Sequence, residues 1–226
     1  MDNNIFVHFN KTIDDYDVVA DKVVMKNSEL HETILKAIPF LKDKQFKVLD
    51  LWSGTGFLME MILREFSGAY IVWIDFSEKM IKKARENLKD YEWRYELIQW
   101  DFTEVDFWTW YDLVVSAVAI HNITHDQKTE LCKKTSERLK KWWYFINGDF
   151  IEWESEFIDN QYRVIYKDFL ETNLEWEELA VWLWHAFWED MPASLSKQCK
   201  TLHKNGINDF KLLWQFNNEA VYIARK

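Results

Sequence analysis

Apolar positions change their spacing twice along the chain. From Tyr16 to Ile38 they recur at helical intervals, first Tyr16, Val19 and Val23, then Leu30, Ile34, Leu35 and Ile38. This predicts two helices, the second closed by Pro39. Beyond Pro39, short apolar runs alternate with helical faces. Phe46–Leu51, Tyr70–Ile74, Tyr95–Gln99, Asp112–Val118 and Tyr144–Asn147 predict strands. Between them lie the helical segment Phe57–Phe66 and a helix capped by Ser77 that carries Met80, Ile81, Ala84 and Leu88 on one face. Thr124 with Gln127 forms a capping box opening a helix to about Lys140. Residues 154–204 read as mainly helical, including Glu156–Leu170 and Ser194–His203. At the end, KLLWQF and EAVYIA flank Asn217-Asn218, a two-residue hairpin turn. The alternation predicts an α/β fold: a Rossmann-like, doubly wound, seven-stranded and mainly parallel sheet with a C-terminal antiparallel hairpin strand.

Composition narrows the partners. The 226 residues are 48% hydrophobic, enough for a sizeable core, and carry a net charge of −10. An acidic chain disfavours nucleic acid and anionic membrane surfaces, which require clustered positive charge. Two cysteines make no disulfide framework, no amino-terminal signal pattern stands out, and the longest apolar stretch, Leu113–Ile120, is too short to span a bilayer. A cytoplasmic protein is expected, monomer or homodimer. One feature of the composition is anomalous: the chain has 5 Gly and 14 Trp, where about 16 Gly is usual for this length.

The chemistry concentrates at Val48–Gly56, VLDLWSGTG, on a strand-to-helix turn. Glycines there admit close approach of a ligand, and the next helix presents its N-terminal N–H groups. Asp75 ends the following strand, 19 residues beyond Gly56, where a carboxylate can accept from ribose hydroxyls. A dinucleotide fingerprint needs a third glycine, but Met59 holds that position. Asp50 would repel a pyrophosphate and suits a ligand bearing an ammonium group. Asp101, after the third strand, is placed to accept from an adenine amine.

With these residues in place, the sequence resembles the class I S-adenosylmethionine-dependent methyltransferases of small-molecule type. The resemblance rests on VLDLxSGTG (48–56), IVxIDFSEKMIKKARENL (71–88), QxDF (99–102), YDLVVSAVAIHNI (111–123), YFINGDF (144–150), the final hairpin and the amino-terminal FNKTIDDYD (9–17). It implies S-adenosylmethionine as cofactor and a small-molecule methyl acceptor. By resemblance, Asp50 holds the methionine amino group, Trp52, Ser53, Gly54 and Gly56 border the methionine part, and Asp75 takes the ribose. Phe76 and Met80 sandwich the adenine, Asp101 and Phe102 meet its amine edge, and Ser116 and Ala117 contact the cofactor through backbone. Tyr16 closes the other side. The chain is expected to be one methyltransferase domain, 1–226: amino-terminal helices over 1–44, a cofactor-binding core over 45–150, a helical insertion or lid over 151–206 and a hairpin over 207–226.

Where the sequence departs from the family, it does so in one direction. Trp52, Trp73 and Trp100 stand where the family has glycine, and Trp142-Trp143 occupies a glycine-type turn. Trp108, Trp110, Trp153, Trp182 and Trp188 are further candidates, whereas Trp214, in an apolar strand, reads as an ordinary tryptophan. Drift does not favour exchanging the smallest side chain for the largest. The pattern fits UGA codons that the source decodes as glycine but that are written here as tryptophan. TGG codons at positions 52, 73 and 100 of the gene would exclude it.

His121, after the fourth strand, is the candidate catalytic residue, with a pKa suited to deprotonating a hydroxyl or amine. His121, His125 and Asp126 lack a second ligand cluster, so no metal is expected, and His31, His185 and His203 read as isolated. The insertion is aromatic-rich (Phe157, Tyr162, Tyr166, Phe169, Trp184, Phe187), fitting either a lid over the acceptor or helix core. Two other classes stay open: a non-catalytic binding or regulatory protein on the same fold, if the tryptophans are genuine, and a nicotinamide-dependent oxidoreductase.

Overall fold

A computed structural model describes residues 16–52, 54–101, 110–137 and 139–226. In chain order these form α1 (Tyr16–Val23), α2 (Asn27–Ala37), β1 (Phe46–Leu51), α3 (Phe57–Glu65), β2 (Ala69–Asp75), α4 (Glu78–Asn87), β3 (Tyr95–Gln99) and β4 (Tyr111–Ala117). There follow α5 (His125–Glu137), β5 (Leu139–Phe150), α6 (Glu156–Asn173), α7 (Trp176–Trp184), α8 (Leu195–Lys204), β6 (Asp209–Phe216) and β7 (Glu219–Arg225). The strands make one seven-stranded sheet in the order β3-β2-β1-β4-β5-β7-β6. β1 to β5 pair in parallel, and β7 runs antiparallel to both β5 and β6. The expected α/β class and terminal hairpin are therefore present. Asn217, at the hairpin turn, adopts φ +48.

Alternation along each strand builds the two faces of the core. Val48, Ile71, Leu113 and Ile146 meet α2, α3 and α4 through residues such as Leu30, Ile34, Ile62 and Ala84. Leu49, Val72, Val114 and Phe145 meet α5 and α8 through Leu131 and Leu202. A third apolar cluster joins Val19 and Val23 of α1 to Tyr166, Leu170, Leu179 and Trp182 of α6 and α7. Much of the insertion is thus packed helix, yet its cluster sits beside the carboxyl ends of the strands, where α/β sheets bind ligands.

Local signals hold where the chain makes its own hydrogen bonds. Ser77 Oγ accepts from the Met80 N–H at 3.3 Å, and Thr124 and Gln127 satisfy each other's backbone N–H at 2.9 and 3.2 Å. β5 differs from expectation. The helix before it stops at Glu137, and the strand runs from Leu139 to Phe150 rather than over Tyr144–Asn147 alone. Pairing with β4 (Tyr111↔Leu139) and with β7 (Phe150↔Glu219) extends it at both ends.

Glu219, at the start of β7, ties the amino-terminal helices to the sheet. Its side chain is buried and accepts the backbone N–H of Met25 at 2.6 Å and of Lys26 at 3.1 Å. Burial pushes its pKa up to about 7, against the pull of those two N–H donors. A carboxyl with a raised folded-state pKa binds its proton more tightly in the native state. Its stabilising contribution is full below the unfolded value of about 4.3 and is lost as pH rises through about 7. Unfolding free energy is therefore expected to fall between pH 5 and 8, by up to ~3 kcal/mol from this group. Urea midpoints of Glu219→Gln should show a shallower pH slope than those of the native chain. Equal slopes would remove Glu219 as the cause.

Two tryptophans sit in the core at a cost. Trp73 and Trp143 have no exposed surface, and neither indole N–H has a hydrogen-bond partner among the described residues. An unpaired buried donor costs about 1–3 kcal/mol.

Candidate active site

The strand order reverses between β1 and β4, and a cavity opens at their carboxyl ends. Both strands leave the sheet through strained turns. Trp52 follows β1 at φ +67 and Val118 follows β4 at φ +50. Left-handed backbone is costly for bulky and β-branched side chains, and such strain clusters at functional sites. Trp52 thus occupies a backbone position that favours glycine. Its ring packs edge-on against Phe76, with centroids 5.2 Å apart.

One end of the cavity is acidic. Asp50 lines it with no exposed surface, together with Gly54, Thr55 and the α1 residues Asp17 and Asp21. The Asp17 carboxylate accepts from Thr55 Oγ1 at 2.5 Å, locking α1 onto the glycine turn. Phe76 and Met80 supply apolar lining, as does Ala117 at the end of β4.

Several expected contacts are placed elsewhere. Gly56 does not line the cavity. At φ +85, an added Cβ would meet Leu88 at 3.1 Å and Ala84 at 3.2 Å, so its small size lets the turn approach α4. Asp75 is buried beneath the turn rather than in the wall, and its Oδ1 accepts the Ser77 N–H at 2.8 Å. Burial, reinforced by the charge of Asp50, pushes its pKa up to about 7 against its backbone donors. Ser116 is buried behind the wall, and neither Asp101 nor the exposed Trp100 lines the cavity. The expectations for Ser53, Phe102, Trp108 and residues 9–15, and for the side chains of Tyr16 and Trp142, lie outside the described residues.

The other end is built around His121, in a short turn after β4. The Asp149 carboxylate holds it twice. Oδ1 accepts from Nδ1 at 2.5 Å and Oδ2 from the backbone N–H at 3.0 Å. Burial pulls the His121 pKa down, but Asp149 and Asp190 together leave it raised. Phe150, Tyr166 and Trp182 supply the aromatic wall here. Of the insertion aromatics named from sequence, Tyr166 lines the cavity, while Phe157 and Trp184 are exposed.

His31 and His185 are not isolated, since both line the cavity. The expectation of no ligand cluster also needs correction, because His121, His185 and Asp190 bring one ligand atom each within 4.8 Å of one another. A π-helical turn over His185–Glu189 sets His185 beside Asp190, whose N–H donates to the His185 carbonyl at 3.0 Å. No local spacing announces this meeting, as His121 and His185 are joined only through the fold.

These residues can be matched to a cofactor bearing an ammonium, a sulfonium and an adenine. Buried Asp50, with Asp17 and Asp21, suits the positive groups, and the wall of Phe76 and Met80 suits the base. Trp52 also lines the cavity, its ring edge-on beside Phe76.

Comparison with known proteins agrees. Residues 48–142 match the family described as methyltransferase domain. The chain is 26% identical over 208 residues, 89% of its length and 85% of the other's, to carboxy-S-adenosyl-L-methionine synthase of Nautilia profundicola. It is 32% identical over 124 residues to malonyl-(acyl-carrier protein) O-methyltransferase of Legionella pneumophila, spanning only 41% of that protein. In fold it resembles an O-methyltransferase family protein from Burkholderia thailandensis, with TM-score 0.69 at 11% identity, covering 98% of this chain and 61% of that one. It likewise resembles human N-acetylserotonin methyltransferase solved with S-adenosylmethionine, with TM-score 0.62 at 16% identity, covering 87% of this chain and 51% of that one. No helix among the described residues is long and apolar enough to cross a membrane. The domain matched over residues 48–142, the fold and the acidic cavity end support a class I S-adenosylmethionine-dependent methyltransferase.

Proposed function

We propose that this chain transfers a methyl group to an oxygen, nitrogen or carbon nucleophile of a small acceptor that is neutral or cationic when it enters. The observation carrying this reading is the continuity of one cavity from the Asp50 turn to the His121–Asp149 pair. When bound, S-adenosylmethionine supplies a methyl group already activated as a sulfonium. The residues then have three tasks. Asp50, Gly54 and Asp17 hold and orient the methionine end. Phe150, Tyr166 and Trp182 exclude water from the acceptor end. His121, its ring set by Asp149, is the residue through which the acceptor atom is readied for attack.

Charge argues for the acceptor class. Asp17, Asp21, Asp50 and Asp190 line the cavity, and no Lys or Arg does so among the described residues. Apart from the cofactor's own positive groups, a free carboxylate entering this space meets four aspartates and no Lys or Arg among the described residues. The reading therefore departs from the relatives in Legionella and Nautilia, named as a malonyl-(acyl-carrier protein) O-methyltransferase and a carboxy-S-adenosyl-L-methionine synthase.

Methyl-labelled S-adenosylmethionine incubated with a panel of phenols, amines and carboxylic acids tests this. Label is expected in neutral or amine acceptors and absent from the acids. A labelled malonyl ester, or carboxy-S-adenosylmethionine found by mass spectrometry, would overturn the assignment.

A further inference from the structure

We propose that His121, His185 and Asp190 bind one divalent transition-metal cation, zinc or a metal of similar ligand preference, in the wall of the cavity. Asp190 Oδ1 lies 3.7 Å from His121 Nε2 and 3.4 Å from His185 Nε2. Ordinary hydrogen bonds are shorter. A tetrahedral ion with bonds of about 2.0–2.1 Å separates its ligands by about 3.3–3.4 Å, so both distances to Asp190 stand close to ligand spacing, and all three ligand atoms lie within 4.8 Å of one another.

The surroundings of the rings support a cation. The Nδ1 of His121 faces Asp149 Oδ1 at 2.5 Å, and the Nδ1 of His185 faces Glu189 Oε2 at 3.1 Å. A carboxylate behind an imidazole fixes the tautomer whose Nε2 carries the lone pair, the arrangement usual for histidine ligands. The Asp190 side chain is only 9% exposed, and its Oδ1 has no hydrogen-bond partner among the described residues. A buried carboxylate oxygen aimed at two ring nitrogens is unfavourable unless a ring proton or a cation lies between them.

Charge balance points the same way. Asp149, Glu189 and Asp190 touch the rings, and the nearby ammonium of Lys128 offsets only one of these three carboxylates. A divalent ion matches the remainder. Asn122 Nδ2 stands 3.0 Å from His121 Nε2, while its Oδ1 is buried with no partner among the described residues. A half-turn of that amide exchanges donor for acceptor and adds an oxygen toward the ion. His₂-carboxylate sets with an open position are suited to zinc or ferrous iron. Binding stands on these contacts alone. A role in lowering the pKa of an acceptor hydroxyl rests in addition on the methyltransferase reading above.

The test is a titration of chelator-treated protein with Co²⁺, read as ligand-field absorption. Saturation at one equivalent and displacement by Zn²⁺ are expected. His185→Ala and Asp190→Asn should each abolish the band, and Glu189→Gln should weaken binding about 10–100-fold. His203→Ala, at an exposed position on α8, should leave it unchanged. Circular dichroism of every sample separates a lost site from a lost fold. Titration with S-adenosylhomocysteine in the Trp52→Gly background reads the cofactor site independently, so cobalt binding without cofactor binding by that folded variant would sink the methyltransferase reading and spare the metal. A folded native chain without the band, or a band that survives both His185→Ala and Asp190→Asn, overturns the proposal and leaves His121 as a bare general base.

Discussion

The variant carrying Trp52→Gly, Trp73→Gly and Trp100→Gly is expected to bind S-adenosylhomocysteine at least ~100-fold more tightly than the chain as written, about 2.7 kcal/mol. The largest part belongs to Trp52. Its backbone holds φ +67, and its indole stands against Phe76 within the cavity wall. A ligand that uses the Phe76 wall must first displace that indole and its packing. Glycine relaxes the turn and clears the space at once. Trp73 adds a buried indole N–H with no partner among the described residues, whereas Trp100 is 54% exposed and its backbone N–H, which glycine keeps, donates to the Asp75 carbonyl. Removing Trp73 also empties core volume, which can cost stability. The single variant Trp52→Gly, at the turn rather than in the core, therefore accompanies the triple in calorimetry. Unchanged affinity in both folded variants would show that indole and cofactor do not compete. The gene supplies an independent check, with TGA expected at codons 52, 73 and 100.

His121→Ala is expected to lower kcat about 10²–10⁴-fold, whether the ring takes the acceptor proton itself or, as a ligand, holds an ion that lowers the acceptor's pKa, while leaving S-adenosylhomocysteine affinity nearly unchanged. The split follows from the geometry. His121 lines the cavity beside Phe150, centroids 5.1 Å apart, and is held by Asp149, whereas Asp50 and the glycine turn form the other end. The measurement is steady-state turnover on the acceptor identified by the labelling screen, with calorimetry on the same preparations. Unimpaired turnover in His121→Ala would reduce His121 to a packing residue. Equal losses of affinity and turnover would mean that the ring supports the whole cavity rather than the acceptor alone.

Much of the Asp50 end of the cavity was legible residue by residue. Asp50, Gly54, Phe76, Met80 and Ala117 were named from the strand–turn–helix pattern and its family resemblance, and all line the cavity. Gly56 and Asp75 lie at the same turn but face inward, toward α4 and the Ser77 backbone. Spacing shows which residues share a turn. It does not show which side of the turn each one faces, because that depends on the neighbouring helix. The acidic α1 residues Asp17 and Asp21 escaped notice for a similar reason: helical acids are usually solvated, and only the docking of α1 through Thr55 and Glu219 turns these toward the cavity.

By itself, the order of apolar runs determined the alternation of strands and helices, and local polar groups marked the helix starts at Ser77 and Thr124 and the hairpin at Asn217. Those features rest on interactions spanning a few residues, so each segment carries its own instructions. The extended β5, the strained Trp52 and Val118, and the meeting of His121 with His185 and Asp190 were decided only by tertiary structure. Each depends on partners far along the chain: β4 and β7 beside β5, Phe76 against Trp52, and a π-helical turn that delivers two side chains to a third on another element. Burial then sets their chemistry, because a carboxylate or imidazole acquires its charge preference from the groups packed around it.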